Sequence, residues 1–306
     1  MTGRLSCVLV ALAACCCPAP LYAQFTDPRT YTVAPVGISQ LEVNYIHAEA
    51  DASLDTSLEV VGAHFEQNEA ALSYTHNFSM LSRLAWIKLG VPYATVSGSV
   101  AGTNISGSTT GAGDSSIQFT MLLKGGRALR ASEFAAYEPA STVGLSVTVT
   151  APTGEYDAGK LLNLGSHRWS FKPELAISCP FGPERSWEAD AYINVYFFTD
   201  NTTYHGVEVL RQEPLAGVEG HLSHDFTPHL WASLDLRYGF RGEAVVDGVS
   251  QNDAQESLVA GAEANWSPSP SHSFVLVFAK ALVYRNAPSA TGVALRYVYT
   301  WEVASR

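Results

Sequence analysis

The residues of this sequence best suited to chemistry are charged side chains that recur at every second position within apolar segments. Asp235, Arg237 and Arg241 show the pattern, because each is separated from the next by apolar residues of segment 230–241. A strand points alternate side chains to opposite faces, so this spacing predicts a strand with one polar and one apolar face. Charges gathered on one face of a closed sheet can select a solute or neutralise one another.

Sixteen charged residues share this placement on the polar faces of the predicted strands, and the apolar faces carry none. The basic ones are Lys88, Lys124, Arg168, Lys172, Arg237, Arg241, Lys280 and Arg296. The acidic ones are Glu42, Asp114, Glu174, Glu188, Asp190, Glu219, Asp235 and Glu263. The even split leaves two interpretations open: a charged channel lining, or salt bridges that fill a narrow interior.

Ten residues are the candidate pore lining, and four of the basic ones are expected to form a constriction. The constriction would consist of Arg168, Lys172, Arg237 and Arg241. The other candidates are Glu174, Glu188, Asp190, Tyr192, Asp235 and Arg296. Six aromatic residues are also predicted to face inward, as stacking surfaces for a solute or as packing: Tyr192, Tyr196, Phe198, Trp231, Phe274 and Phe278.

The composition indicates that much of the surface does not face water. Hydrophobic residues make up 47% of the 306 residues and charged residues 15%, where globular chains carry about a quarter charged residues. Beyond the N-terminus no run of about 18 apolar residues could form a transmembrane helix. Since transmembrane helices are excluded, a closed β-barrel is the remaining fold by which such a chain can span a lipid bilayer.

Twelve alternating segments predict an all-β fold, an antiparallel transmembrane β-barrel of about twelve strands. They cover residues 39–48, 69–78, 83–97, 114–124, 142–151, 167–178, 186–198, 214–224, 230–241, 257–266, 273–284 and 291–301. An even count places both termini in the periplasm. Residues 125–140 break the rule of short periplasmic turns, which leaves the count open by two, and they suit a short helix.

Aromatic residues at both ends of the apolar faces favour this barrel over a soluble β-sandwich. Phe78, Trp187, Trp266 and Trp301 fall at the predicted periplasmic rim; Tyr93, Trp169, Phe197, Tyr238 and Phe240 fall at the outer rim. Two such girdles are typical of a barrel that meets two membrane interfaces. Many segments also run for about 9–12 residues, the length of a membrane-crossing strand, whereas soluble strands average about 5–6.

The N-terminus has the features of an export signal. Arg4 precedes a short apolar core, and Leu21-Tyr22-Ala23 offers a cleavage site before Gln24. The predicted domains are therefore a signal peptide (residues 1–23) and an outer-membrane barrel (residues 24–306). Leu12-Ala13-Ala14-Cys15 also resembles a lipobox, which would make Cys15 a lipidated N-terminus. If the four cysteines up to Cys17 are instead removed with the signal peptide, Cys179 is the one cysteine left, suited to packing.

Motifs for other chemistry are incomplete, and the chain is predicted not to be an enzyme. Residues 154–160 resemble a phosphate-binding loop, but Leu161 replaces the Ser or Thr that would hold magnesium. No Gly-x-Ser-x-Gly elbow and no paired metal-binding histidines occur, so no cofactor and no metal are expected. A lipid hydrolase remains an alternative through His76 or His167 near strand ends. The formal net charge of −11 and the lack of a basic patch exclude nucleic acid as a partner.

Two blocks resemble the meta-pathway phenol-degradation family of outer-membrane transporters. They are residues 152–175, with Pro152-Thr153-Gly154, Asn163-Leu164-Gly165 and Trp169-Ser170-Phe171-Lys172-Pro173, and residues 111–114, Gly-Ala-Gly-Asp. The resemblance implies a barrel that passes aromatic or other hydrophobic compounds.

These features predict a channel of the outer membrane for passive diffusion of small compounds, including aromatic ones. Its expected partners are membrane lipid and a small-molecule solute; the sequence gives no oligomeric state. The alternative is a closed barrel with a structural or adhesive role through its outer loops, which the even charge split favours.

Overall fold

The described part of the chain forms a closed antiparallel β-barrel. The computed structural model describes residues 26–52, 62–134, 136–160 and 162–303. Both the predicted signal peptide and Cys15 lie outside these ranges. The strands are β1 (Ile38–Ala52), β2 (Ala63–Met80), β3 (Arg83–Val100), β4 (Ser106–Ala112), β5 (Ser116–Lys124), β6 (Thr142–Thr150), β7 (Ser170–Phe181), β8 (Trp187–Phe198), β9 (Asn201–Tyr204), β10 (Glu208–Gln212), β11 (Leu215–Thr227), β12 (Leu230–Arg241), β13 (Ala244–Val246), β14 (Val249–Ser250), β15 (Gln255–Ser269), β16 (His272–Arg285) and β17 (Ser289–Glu302).

Within the described residues, twelve strands make the wall, as the alternation predicts. Each wall strand pairs with its sequence neighbour, and β1 pairs with both β2 and β17, which closes the cylinder. β3 pairs with β5 along one half and with β4 along the other, so these two short strands together occupy one position in the wall. The remaining strands, β9, β10, β13 and β14, form a separate four-stranded sheet that the sequence does not predict.

The two faces of the wall differ as predicted. Leu234 is 70% exposed on the outer face, while its neighbour Asp235 is 2% exposed on the lumen face. Charges at the lipid face of a barrel cost about 2–4 kcal/mol at the midplane, which explains the apolar outer surface. No helix among the described residues is long and apolar enough to cross a membrane.

The two ends of the barrel are unlike. The end that carries the connections 81–82, 182–186, 228–229 and 270–271 is called the turn end, and the opposite end the loop end. The longer connection 125–141 also lies at the turn end and holds the short helix α1 (Ala131–Phe134), which confirms the helix expected there. The four-stranded sheet lies at the loop end. Which end faces the periplasm stays a prediction.

The prediction is wrong for β16. Phe274 and Phe278, expected inside, are each 46% exposed on the outer face, and Lys280 is exposed beside them. The lumen face of β16 carries Val275 and Val277 instead. Both faces of this strand are apolar, so alternation gave no signal for its register.

Lys124 is also not in the lumen. A register shift between Leu122 and Lys124 ends the regular pairing of β5 with β6, and Lys124 is exposed at the turn end. An irregularity of this kind moves a side chain off the face that strict alternation assigns to it.

Candidate functional site

Residues 26–37, the N-terminal segment, fold back into the lumen from the turn end. Tyr31 is fully buried there. Its hydroxyl donates to Glu174 at 2.6 Å and lies 2.8 Å from Ser146 Oγ, and its ring packs against Trp86 and Tyr192. These partners belong to β3, β6, β7 and β8, so one side chain of the segment contacts much of the inner wall.

Glu174 is the centre of the lumen's polar contacts. Its carboxylate accepts hydrogen bonds from Tyr31, from Thr26 Oγ1 at 2.7 and 2.8 Å and from Asn194 Nδ2 at 3.1 Å. Lys172 Nζ forms an ion pair with it at 2.9 Å. A carboxylate that is 1% exposed needs such partners, because a buried charge without them is very costly.

Thr26 connects this group to β11, which lies two strands away from β7 in the wall. Its backbone N–H donates to Glu219 Oε2 at 2.9 Å, and its hydroxyl accepts from Lys172 at 2.9 Å. Arg237 Nε lies 3.8 Å from the Glu219 carboxylate. The lumen charges of β7, β11 and β12 are therefore joined through a residue of the N-terminal segment.

Arg29 anchors the segment nearer the turn end. Its guanidinium lies 2.6 Å from Asp225 and donates to Ser223 at 2.7 Å, while its backbone N–H donates to Asp190 at 3.1 Å. The guanidinium also lies 4.8 Å from the ring centroid of Trp231. Arg29 thus supplies positive charge to an acidic part of the wall.

Asp27 anchors the segment on the opposite side of the barrel. Its carboxylate lies 2.8 Å from Arg296 of β17. Burial would raise the pKa of Asp27, but the positive charges of Arg296, Lys88 and Arg237 outweigh it, and the pKa lies well below its usual range. Burial and the Glu174 carboxylate raise the pKa of Tyr31, which keeps its hydroxyl a donor.

The long connection 125–141 closes the turn end around the segment. Val36 N–H donates to Leu129 O at 2.8 Å, and Phe134 and Tyr137 pack against the cluster that contains Tyr31 and Val33. This packing gives the connection its structural role, which the sequence did not indicate.

The remaining predicted lining residues have partners of their own instead of forming one ring. Asp235 lies 2.7 Å from His221 Nδ1. At the loop end, Arg241 pairs with Asp253 at 2.9 Å, and Arg168 lies over the Phe198 ring at 4.4 Å. Glu188 is 4.0 Å from Arg29 Nε. The four basic residues expected to form a constriction are therefore distributed over separate groups.

One side of the lumen is largely aliphatic. β1, β15, β16 and β17 present a row of small and branched aliphatic side chains to the interior. The row consists of Ile46, Val259, Val275, Val277, Ala279, Ala281 and Ala294. The opposite side, from β6 to β12, carries most of the polar groups described above, while Glu42, Glu263 and Arg296 place charges among the aliphatic strands. Of the aromatics predicted inside, Tyr192 is fully buried and Trp231 contacts Arg29.

Residues 151–160 and 162–169, the inward loop, fill part of the lumen at the loop end. Leu162 packs with lumen-facing Phe65, Val96 and Val100. Asp114, at the break between β4 and β5, holds the loop: its carboxylate accepts from Gly154 N–H, Ser166 N–H and Ser166 Oγ at 2.6–2.8 Å. Asp114 was expected on a regular strand face, and the structure places it at this junction.

The motifs that carry the family resemblance build this loop. Asn163 accepts from Asp157 N–H at 2.7 Å and donates to the carbonyls of Asp157 and Lys160. A Cβ added at Gly154 would lie 2.7 Å from the Gly165 backbone, so the two glycines allow a close approach. The segment that resembles a phosphate-binding loop is part of the same fold.

The histidines considered for hydrolysis have structural contacts. His76 Nδ1 lies 2.9 Å from Ser39 Oγ, but Ser39 is 0% exposed and also contacts Tyr74. A nucleophile must reach its substrate, which this serine does not. His167 stacks on Tyr156 of the inward loop at 4.8 Å. The described residues contain no group of three or more His, Cys, Asp or Glu arranged for a metal.

Comparison with solved structures identifies the same fold elsewhere. The COG4313 outer membrane channel from Pseudomonas putida F1 matches with a TM-score of 0.79 and 23% identity over 90% of this chain and 100% of that one. The transport unit of the autotransporter AIDA-I from Escherichia coli matches with a TM-score of 0.54 and 9% identity, covering 97% of this chain and 98% of that one. At such identities the likeness shows the fold of an outer-membrane barrel and no more.

The sequence itself matches a family. None of the curated protein sequences compared with the chain matches it. A sequence model of the family described as "Putative MetA-pathway of phenol degradation" matches residues 51–297. That range takes in the barrel from the end of β1 to β17, including both blocks on which the resemblance rested. With most of its length matched, the chain belongs to this family.

Proposed function

We propose that this protein is a non-enzymatic channel of the outer membrane for small aromatic compounds, and that its N-terminal segment controls the opening. The observation that carries the proposal is the segment inside the lumen. Thr26, Asp27, Arg29 and Tyr31 hold it through side chains and single N–H groups, without any strand pairing to the wall. The segment can therefore leave while the barrel keeps its backbone ladder.

The lumen behind the segment suits a small solute with both polar and apolar parts. One side is aliphatic, from Ile46 to Ala294, and the other carries hydrogen-bonding groups. Apolar walls with a few placed polar groups are what small-molecule sites generally have. The family to which the chain belongs is named for phenol degradation, and that supports an aromatic compound as the solute.

A closed barrel with a structural role is the second candidate. It is favoured by the hydrogen bonds and ion pairs that fill the polar side, where Glu174, Glu219 and Asp190 all accept hydrogen bonds from the N-terminal segment. The two candidates differ in one measurable property, the current through the barrel after the segment is displaced. A closed barrel passes no current, because the charges of its lumen then find other partners.

Gly144 offers a way to displace the segment without touching it. This glycine faces the lumen on β6, and a Cβ added there would lie 2.2 Å from the Tyr31 ring. We expect Gly144→Ala to push Tyr31 out of its site and to raise the open fraction of single channels in a planar bilayer. Deletion of residues 26–36 should give steady conductance steps of the same size. Phenol added to the bath should reduce the current.

Gly220→Ala is the matched control. Gly220 lies on the outer face of β11, where an added Cβ meets nothing within 4 Å, so this variant should conduct as the wild type does. Refolding is checked by the shift in electrophoretic mobility on heating. A folded deletion variant that passes no current would overturn the proposal in favour of the closed barrel.

A further inference from the structure

A cavity at the loop end lies apart from the N-terminal segment and its polar partners. Its volume is about 280 Å³, and it lies between β2, the β3–β4 hairpin and the inward loop. Its apolar lining comes from Phe65, Val100, Ile105 and Leu162. Drug-sized ligands occupy pockets of roughly 300–1,000 Å³, so this cavity fits a molecule with a single ring.

Two glycines give the cavity a flat floor. Gly98 of β3 and Gly107 of β4 are register partners, and both line the cavity. A Cβ at Gly98 would lie 2.9 Å from the Phe65 ring, whereas a Cβ at Gly107 would meet only Leu162, at 4.0 Å. Bare backbone opposite aliphatic side chains leaves a slot that suits a planar ring.

Polar groups lie at the edge of this slot. Ser99, Ser106 and Ser108 line it through their backbone, because they alternate with Gly98 and Gly107 and their side chains take the opposite face of the hairpin. Lys160 of the inward loop completes the lining. Its ammonium group is attracted both to an aromatic face and to a phenolate.

From this geometry we infer that the cavity binds a single-ring phenol as it arrives at the loop end, before it enters the lumen. The inference rests on the proposed function, since it assigns a first binding site to the same solute. It adds the location of that first binding site. The cavity is made by the β3–β4 hairpin and the inward loop, and it shares no residue with the N-terminal segment.

Binding is tested with 4-fluorophenol, followed by ¹⁹F line broadening on the full chain in lipid nanodiscs, with empty nanodiscs as the blank for partitioning. Gly107→Phe fills the slot with a ring of its own and is expected to weaken binding about tenfold or more, a loss typical of a blocked pocket. Ile105→Glu, at a residue that is 45% exposed, should weaken it severalfold without disturbing the fold.

Gly220→Phe, on the open lipid face of β11, is the size-matched control and should bind as the wild type does. Equal binding by the wild type and Gly107→Phe, or no binding beyond the blank, would overturn the inference. Single-channel recordings keep it distinct from the proposed function. A wild-type protein that conducts normally but binds no 4-fluorophenol beyond the blank overturns only the entry site, and slot binding by a protein that never conducts overturns only the channel.

Discussion

At the scale of single residues, the lumen is organised by charges that are paired across strands and across long stretches of chain. Glu174 accepts from Thr26 and Tyr31, which lie 148 and 143 positions earlier. Removing one member of a buried ion pair costs about 3–5 kcal/mol, because the other charge stays buried without a partner. The lumen is therefore sensitive to single substitutions at its centre.

Tyr31→Phe is expected to loosen the N-terminal segment without changing its shape. The variant loses the hydroxyl that contacts Ser146 and Glu174, and hydrogen bonds to charged groups contribute about 1.5–3 kcal/mol. The open fraction measured in single-channel recordings should rise about tenfold or more, since about 1.4 kcal/mol corresponds to a factor of ten. Tyr284→Phe, at an exposed tyrosine of β16, should leave it unchanged; an equal rise in both variants would contradict the assignment.

Sequence reasoning found the lining residues of the wall but not the residues that partner them. Period-two spacing, which follows from the alternation of side chains in a strand, placed four of them on the inner face: Lys172, Glu174, Asp190 and Arg237. Asp27, Arg29 and Tyr31 also recur at every second position, but the N-terminal segment forms no strand, and its contacts join residues more than a hundred positions apart. Their spacing therefore does not show which strands they contact.

At the scale of elements, the strands could be predicted wherever their two faces differ. β12 spans Leu230–Arg241, the same range that alternation predicts. The prediction of inward-facing residues failed for β16 because its lumen face is apolar as well as its outer face. That same property gives the lumen its aliphatic side. The four-stranded sheet was missed because strands of two to five residues in polar loops are too short to show a period.

The inward loop depends on one carboxylate, and Asp114→Asn tests this. The amide keeps the shape of the side chain but removes the negative charge of the carboxylate. That carboxylate accepts hydrogen bonds from three donors of Gly154 and Ser166. Charge-assisted hydrogen bonds are about twice as strong as neutral ones, so the loop should become more mobile. We expect faster cleavage by added protease within residues 154–168, read by mass spectrometry. Asp200→Asn, at an exposed aspartate, is the control, and equal rates in the two variants would show that Asp114 does not hold the loop.

At the scale of the whole molecule, the barrel is built for two different environments at its ends. The turn end is closed by the N-terminal segment and the connection 125–141, and the loop end carries the inward loop and the four-stranded sheet. Barrels of the outer membrane generally have short periplasmic turns and longer outer loops. That asymmetry predicts a turn end in the periplasm and a loop end outside the cell.

Cysteine labelling on intact cells tests this orientation. Val207, at the loop end, is 87% exposed and Leu81, at the turn end, is 78% exposed. A membrane-impermeant maleimide should label Val207→Cys on intact cells and Leu81→Cys only after the outer membrane is permeabilised. The parent chain, with Cys179, sets the background. Labelling of Leu81→Cys on intact cells would reverse the orientation.

The long sequence separation between the N-terminal segment and its partners has a consequence for assembly. The segment is the first described part of the chain, yet its binding site exists only when β6, β7, β8 and β11 lie side by side. The wall can close along the β1–β17 seam without it. Docking of the segment is therefore expected to be the last folding event, which leaves a newly inserted barrel briefly leaky until its own first residues seal it.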